Sequence, residues 1–142
     1  MSNMTKYSEL LSKINSEGYS VGLEQFLKNN SEYEFRFNKM EGNVAFRGIH
    51  KKNDRCLVIN SDLGNIPESI SQSYNKVYSL ETNKEKIAIQ KLRFKEKNIT
   101  NIELINSDIE SFEFQINYFD LIIINGIKEE TNSEINLIKY FN

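Results

Sequence analysis

The chain has 142 residues, 27% of them charged, with 18 Lys and Arg against 20 Asp and Glu for a formal net charge of −2. That length fits one domain with a substantial core, and the near balance of charge excludes a general nucleic-acid binder. A single cysteine excludes an internal disulfide, no apolar run reaches membrane-span length, and the N-terminus lacks a signal-peptide core; the expectation is a soluble cytoplasmic protein.

Residues 4–15 place Tyr7, Leu10, Leu11 and Ile14 at i, i+3, i+4 and i+7, which predicts an amphipathic helix stopped by Gly18. Val21 to Lys28 reads as a second, shorter helix with Phe26 and Leu27 inward. Tyr33-Glu34-Phe35-Arg36-Phe37 alternates strictly and predicts an extended segment or edge strand, its aromatic rings packed against the sheet. The stretch broken by Gly42 and Gly48 is loop-like, with apolar anchors at Val44, Phe46 and Ile49. His50, the only histidine, falls in that loop and reads as solvated or structural rather than as a general base. The polar run Lys51 to Arg55 marks the border between an N-terminal helical cap, residues 1–53, and a sheet domain, residues 54–142.

Cys56, Leu57, Val58 and Ile59 form a short apolar run, the pattern of a strand buried on both faces, with Cys56 a small core residue. Asn60 to Gly64 then predict a turn, because these residues tolerate positive φ or bond their own backbone. Asn65 reads as an N-cap with Glu68 three residues on and Pro67 in the first helical turn. Val77 to Leu80 make a second strand that stops at Glu81. Thr82 and Glu85 form a capping box for a helix carrying Ile87, Ala88, Ile89, Leu92 and Phe94 to about Lys97, its charges a solvated face. Asn98 closes it. Ile102 to Ile105 form a third strand ending in Asn106-Ser107-Asp108, and residues 109–116 are irregular, anchored by Phe112 and Phe114. Phe119 to Ile124 predict a fourth strand that ends at Asn125-Gly126, and Glu134 to Phe141 begin another helix. Strands alternating with helices argue for parallel βαβ units. No cluster of Cys and His offers a metal site.

A strand, a polar turn, a helix and a second strand ending on a carboxylate make the first half of a nucleotide-binding sheet, with backbone N–H groups facing the ligand and the acid free for a ribose diol. From these residues the chain resembles the class I S-adenosylmethionine-dependent methyltransferases over roughly residues 54–130. The resemblance implies a Rossmann-like three-layer α/β sandwich, its mostly parallel sheet ordered 3-2-1-4, and S-adenosylmethionine as cofactor. It matches Glu81 to the ribose acid, Asp108 to the acid that bonds the adenine amino group, and Phe119-Asp120 to the start of the fourth strand. Leu63-Gly64-Asn65 matches the end of the glycine turn, which sets Val58, Asn60 and Asp62 where the family has an acid and its first two glycines. Asn60, Asp62, Gly64, Glu81, Thr82, Asp108, Ile109 and Asn125 are therefore the cofactor-binding candidates.

The family sheet has seven strands and this chain ends after the fourth βα unit, as a fragment or a shortened relative would. Two functions stay open. One is a methyltransferase-like domain serving a small-molecule acceptor, with neither nucleic acid nor membrane as partner; the other is a degenerate module with a structural or protein-interaction role. A nicotinamide-dependent oxidoreductase is disfavoured, because G-x-G-x-x-G is missing after the first strand. The open edge of the fourth strand predicts self-association or docking.

Overall fold

The computed structural model describes residues 4–34, 37 and 53–125. Helices α1 (Lys6–Glu17) and α2 (Tyr19–Asn29) form a hairpin, followed by a 3₁₀ turn at Ser31–Tyr33. The sheet units are β1 (Asn53–Ile59), α3 (Asn65–Ile70), β2 (Tyr74–Leu80), α4 (Lys84–Glu96), β3 (Ile102–Ile105) and β4 (Leu121–Ile124). All neighbouring strands pair in parallel, in the order β3-β2-β1-β4. The sheet order is the one expected from the sequence.

Side-chain alternation explains the layers. Leu57 and Ile59 of β1 and Tyr78 and Leu80 of β2 face one side, where Ile109 and Phe112 join them. Cys56, Val58 and Val77 face the other side, against Ile70 of α3. Leu57, Val58 and Val77 are fully buried, each contributing roughly 1.5–3 kcal/mol through lost water contact. The irregular segment covering the first face closes over Tyr78, whose ring meets Phe114 and Phe119 edge-on at 5.2 and 5.4 Å. On the second face α4 packs on the sheet, and the α1–α2 hairpin packs on α4 through Leu10, Ile14, Phe26 and Ile89. Hairpin closure is tight at Gly22, where a Cβ would lie 2.6 Å from the backbone nitrogen of Ile14.

Several local expectations are corrected. Ser31–Tyr33 is a 3₁₀ turn, and Glu34 and Phe37 are helical rather than extended; Phe35 and Arg36 lie outside the described residues. Tyr33 and Phe37 stand four residues apart, and both pack into the hairpin core instead of on the sheet. The N-cap of α3 is Gly64, not Asn65. The N-cap of α4 is Asn83, whose side-chain oxygen accepts the N–H groups of Glu85 and Lys86 at 2.9 and 3.0 Å. Thr82 lies one residue before that cap, and Glu85 bonds the hydroxyls of Thr5 and Ser8 in place of closing a capping box. The fourth strand starts two residues late, since the Asp120 carboxylate accepts the Arg55 N–H at 2.9 Å just outside the ladder. His50, Val44, Phe46, Ile49, Gly126 and the helix expected at 134–141 lie outside the described residues.

Candidate functional site at the carboxyl edge of the sheet

The loop leaving β1 has an unusual backbone. Asn60, Asp62 and Gly64 all adopt positive φ, at 56°, 57° and 94°. Apart from glycine, Asn and Asp are the residues that tolerate this region best. A glycine-type turn is thus retained while two of its positions carry polar side chains. At Gly64 the requirement is doubled, because a Cβ there would lie 2.9 Å from the Phe94 ring.

Helix α4 grips this loop with a row of polar side chains at positions 86, 90 and 93. Gln90 is fully buried; it accepts the Ser79 hydroxyl at 2.8 Å and donates to Ser61 Oγ and the Asp62 carbonyl at 2.9 and 2.7 Å. Arg93, 2% exposed, donates to the Leu63 carbonyl at 2.9 Å, to Asn65 Oδ1 at 2.6 Å and to the Glu68 carboxylate. Lys97 closes on the other Glu68 oxygen at 2.6 Å. The expectation that the charges of this helix form only a solvated face is corrected here. At helical spacing the row lies between Ile89 and Phe94, both buried, so apolar residues flank it on two sides and the helix lacks a single apolar stripe. That missing stripe is the sequence signal that could have exposed Gln90 and Arg93.

Glu81, directly after β2, is 6% exposed. Its carboxylate accepts the Asp62 N–H at 2.9 Å and the Asn83 N–H at 3.2 Å. An ionised carboxylate offers about four lone-pair sites, so these two bonds leave acceptor capacity on the same group. Lys86 lies 2.8 Å from Asp62 Oδ1. Burial pulls the Lys86 ammonium toward neutrality, but the Asp62 bond and the charges of Asp62 and Glu81 outweigh it and raise its pKa. The edge therefore carries two carboxylates and one firmly protonated lysine.

Asp108 sits after β3, exposed, with Oδ1 accepting the Ser111 N–H at 2.7 Å; this bond and the Ser111 hydroxyl hold its carboxyl below the usual range. Ile109 is buried in the sheet core beside Leu80. Thr82 is exposed beside Glu81, and the Asn106 side chain donates to the carbonyls of both at 2.9 and 2.8 Å, a bracing role the sequence did not suggest. Asn125 is exposed at the end of β4, its N–H bonded to the Ile59 carbonyl at 2.9 Å. The loop, Glu81, Thr82 and Asn125 thus stand at one strand edge, where open α/β sheets bind ligands.

Residues 61–136, more than half of the chain, match the family model described as a methyltransferase domain. The chain belongs to the methyltransferase domain family. All the site candidates except Asn60 fall inside the matched residues. The fold is likewise that of solved methyltransferases. A candidate S-adenosyl-L-methionine-dependent methyltransferase from Methanococcus maripaludis aligns at 17% identity over 82% of this chain and 58% of that one, with a TM-score of 0.63. Phosphoethanolamine N-methyltransferase 2 from Haemonchus contortus, solved with S-adenosyl-L-methionine, aligns at 16% identity over 74% and 26%, with a TM-score of 0.61. A dimethyladenosine transferase from Plasmodium falciparum aligns at 20% identity over 71% and 36%, with a TM-score of 0.59. This methyltransferase domain spans between about a quarter and three-fifths of those proteins. No curated protein sequence matches it.

Proposed function

We propose that this domain binds S-adenosylmethionine at the carboxyl edge of its sheet and serves methyl transfer to a small-molecule acceptor. The observation that supports this reading most directly is Glu81: a nearly buried carboxylate, anchored by two backbone N–H groups beside a left-handed loop, with lone pairs left for a vicinal diol. Those residues fit the nucleoside end of the cofactor. In this reading Glu81 accepts the ribose hydroxyls, Asp108 accepts the adenine amino group, and Thr82 and Ile109 border the nucleoside. Asn60, Asp62 and Gly64 supply the turn, and Asn125 flanks it on the β4 side. Bound there, the cofactor supplies an activated methyl group. The chain's own contribution is to hold and orient, which suffices for a transfer that gains mainly from proximity. Residues 1–53 form the cap and 54–142 the cofactor domain. Among the described residues no helix is long and apolar enough to cross a membrane.

The test is calorimetric titration with S-adenosylmethionine and S-adenosylhomocysteine. Saturable binding that Glu81→Ala weakens by at least about tenfold, the loss of a charge-assisted bond pair, supports the reading. No heat and no thermal shift at millimolar ligand overturns it. A second reading, a non-catalytic module of the same fold, draws on Asn60 and Asp62 carrying side chains at two turn positions and on the pairing of Asp62 with Lys86. In that case neither ligand binds and Glu81→Ala only lowers stability.

A further inference from the structure

The described residues hold one continuous contact path from the N-terminal hairpin to the site loop. Tyr33 packs edge-on against Phe26 of α2 at 5.5 Å and against Tyr7 of α1 at 6.4 Å. The Tyr7 ring lies under the Lys86 ammonium, 5.0 Å from its centroid. Lys86 in turn holds Asp62 Oδ1 at 2.8 Å, and the Asp62 N–H is the one donated to Glu81. The first turn of α1 is fixed independently at the same place, since Ser8 and Thr5 donate to Glu85, next to Lys86 in sequence.

We infer that Lys86 is a positioning residue for the Asp62 loop, and that Tyr7 of the N-terminal helix sets Lys86. The chemistry is direct. A lysine side chain has four rotatable bonds and many rotamers, yet this one is wedged between an aromatic face and a carboxylate, so one orientation is selected. Its ammonium bonds the Asp62 carboxylate and feels the charge of Glu81 as well, so removing it takes away an attraction that both acids share. The Asp62 N–H would then leave Glu81 more readily, with Gln90 still bonding the Asp62 carbonyl. The hairpin thereby belongs to the same mechanical unit as the ligand edge.

Amide hydrogen exchange on the full chain tests this without any ligand. Lys86→Met is expected to speed exchange of the Asp62 N–H by about tenfold relative to the Val77 N–H in the sheet core, while Lys86→Arg keeps it within about twofold. Tyr7→Leu is expected to speed it about threefold in the native background and not at all in the Lys86→Met background. Unchanged Asp62 exchange in Lys86→Met, or equal effects of Tyr7→Leu in both backgrounds, overturns the inference. Should Lys86→Met fail to fold, the single variant Tyr7→Leu decides it, an unaltered Asp62 amide being the refuting result.

A ligand arm rests on the cofactor reading: affinity for S-adenosylhomocysteine is expected to fall about tenfold in Lys86→Met and to return in Lys86→Arg. If the native chain binds no S-adenosylhomocysteine, the cofactor reading fails and the exchange result alone decides the role of Lys86.

Discussion

Arg93 donates a guanidinium N–H to the backbone carbonyl of Leu63 at 2.9 Å, from a side chain that is 3% exposed. The same group holds Asn65 and Glu68, so one residue of α4 ties down the end of the site loop and the start of α3. Replacing it by methionine keeps much of the volume but strips three acceptors of their donor. Arg93→Met is expected to cost about 3 kcal/mol, the scale for breaking a buried ion pair from one side, tempered by Lys97 still serving Glu68. Urea unfolding measures this, and a loss below about 1 kcal/mol would show the pair to be a surface interaction in effect.

Gly64 combines a φ of 94° with contact against Phe94. Gly64→Ala is expected to lose about 1–2 kcal/mol from the left-handed backbone and about 1–3 kcal/mol from overpacking against the ring. In Gly64→Ala combined with Phe94→Leu the second contribution should shrink while the first persists. Equal losses in the two backgrounds would refute the packing part.

The docking of α1 on α4 should depend on pH. Hydrogen bonds from Ser8 and Thr5 hold the Glu85 carboxyl below its ordinary value of 4.5. A carboxyl whose folded pKa is depressed stabilises the fold above its unfolded pKa, and that contribution disappears as pH falls through the folded value. Glu96 behaves alike, held down by the hydroxyl and N–H of Ser20. Glu85→Gln is therefore expected to melt below the native chain at neutral pH and to coincide with it once the pH is well under 4.5. Curves that stay equally separated across the titration would contradict this.

Cys56 lies fully buried in β1, and burial pushes its thiol up to about 12. Only the thiolate reacts with alkylating agents. Iodoacetamide at pH about 8 is expected to leave the folded chain unlabelled and to modify it promptly in denaturant. Labelling of the native protein at the rate of a free thiol would contradict the burial.

All four strands were legible because runs such as Cys56–Ile59 and Ile102–Ile105 are short, mostly apolar and bounded by turn residues, whereas the strand order came from the family resemblance. The bend after β1 was legible because Asn, Asp and Gly share a tolerance for positive φ. The grip on that bend was not. Gln90 and Arg93 meet partners up to thirty residues away, and two of these are backbone carbonyls, which no side-chain pattern reveals. Glu81 could be placed at a strand end from sequence, but its tie to the Asp62 N–H could not, for the same reason. The alternation at Tyr33–Phe37 misled because Tyr33 and Phe37 satisfy a four-residue spacing as well as a two-residue one, and the hairpin core selected the former.

A flexible loop must surrender conformational freedom when a guest arrives, and that loss subtracts from affinity. Much of that freedom is removed within the chain itself, since Gln90 and Arg93 hold the main-chain carbonyls of Asp62 and Leu63. A ligand held at this rim as proposed would meet a backbone already fixed, so less of its affinity would be lost to ordering the loop.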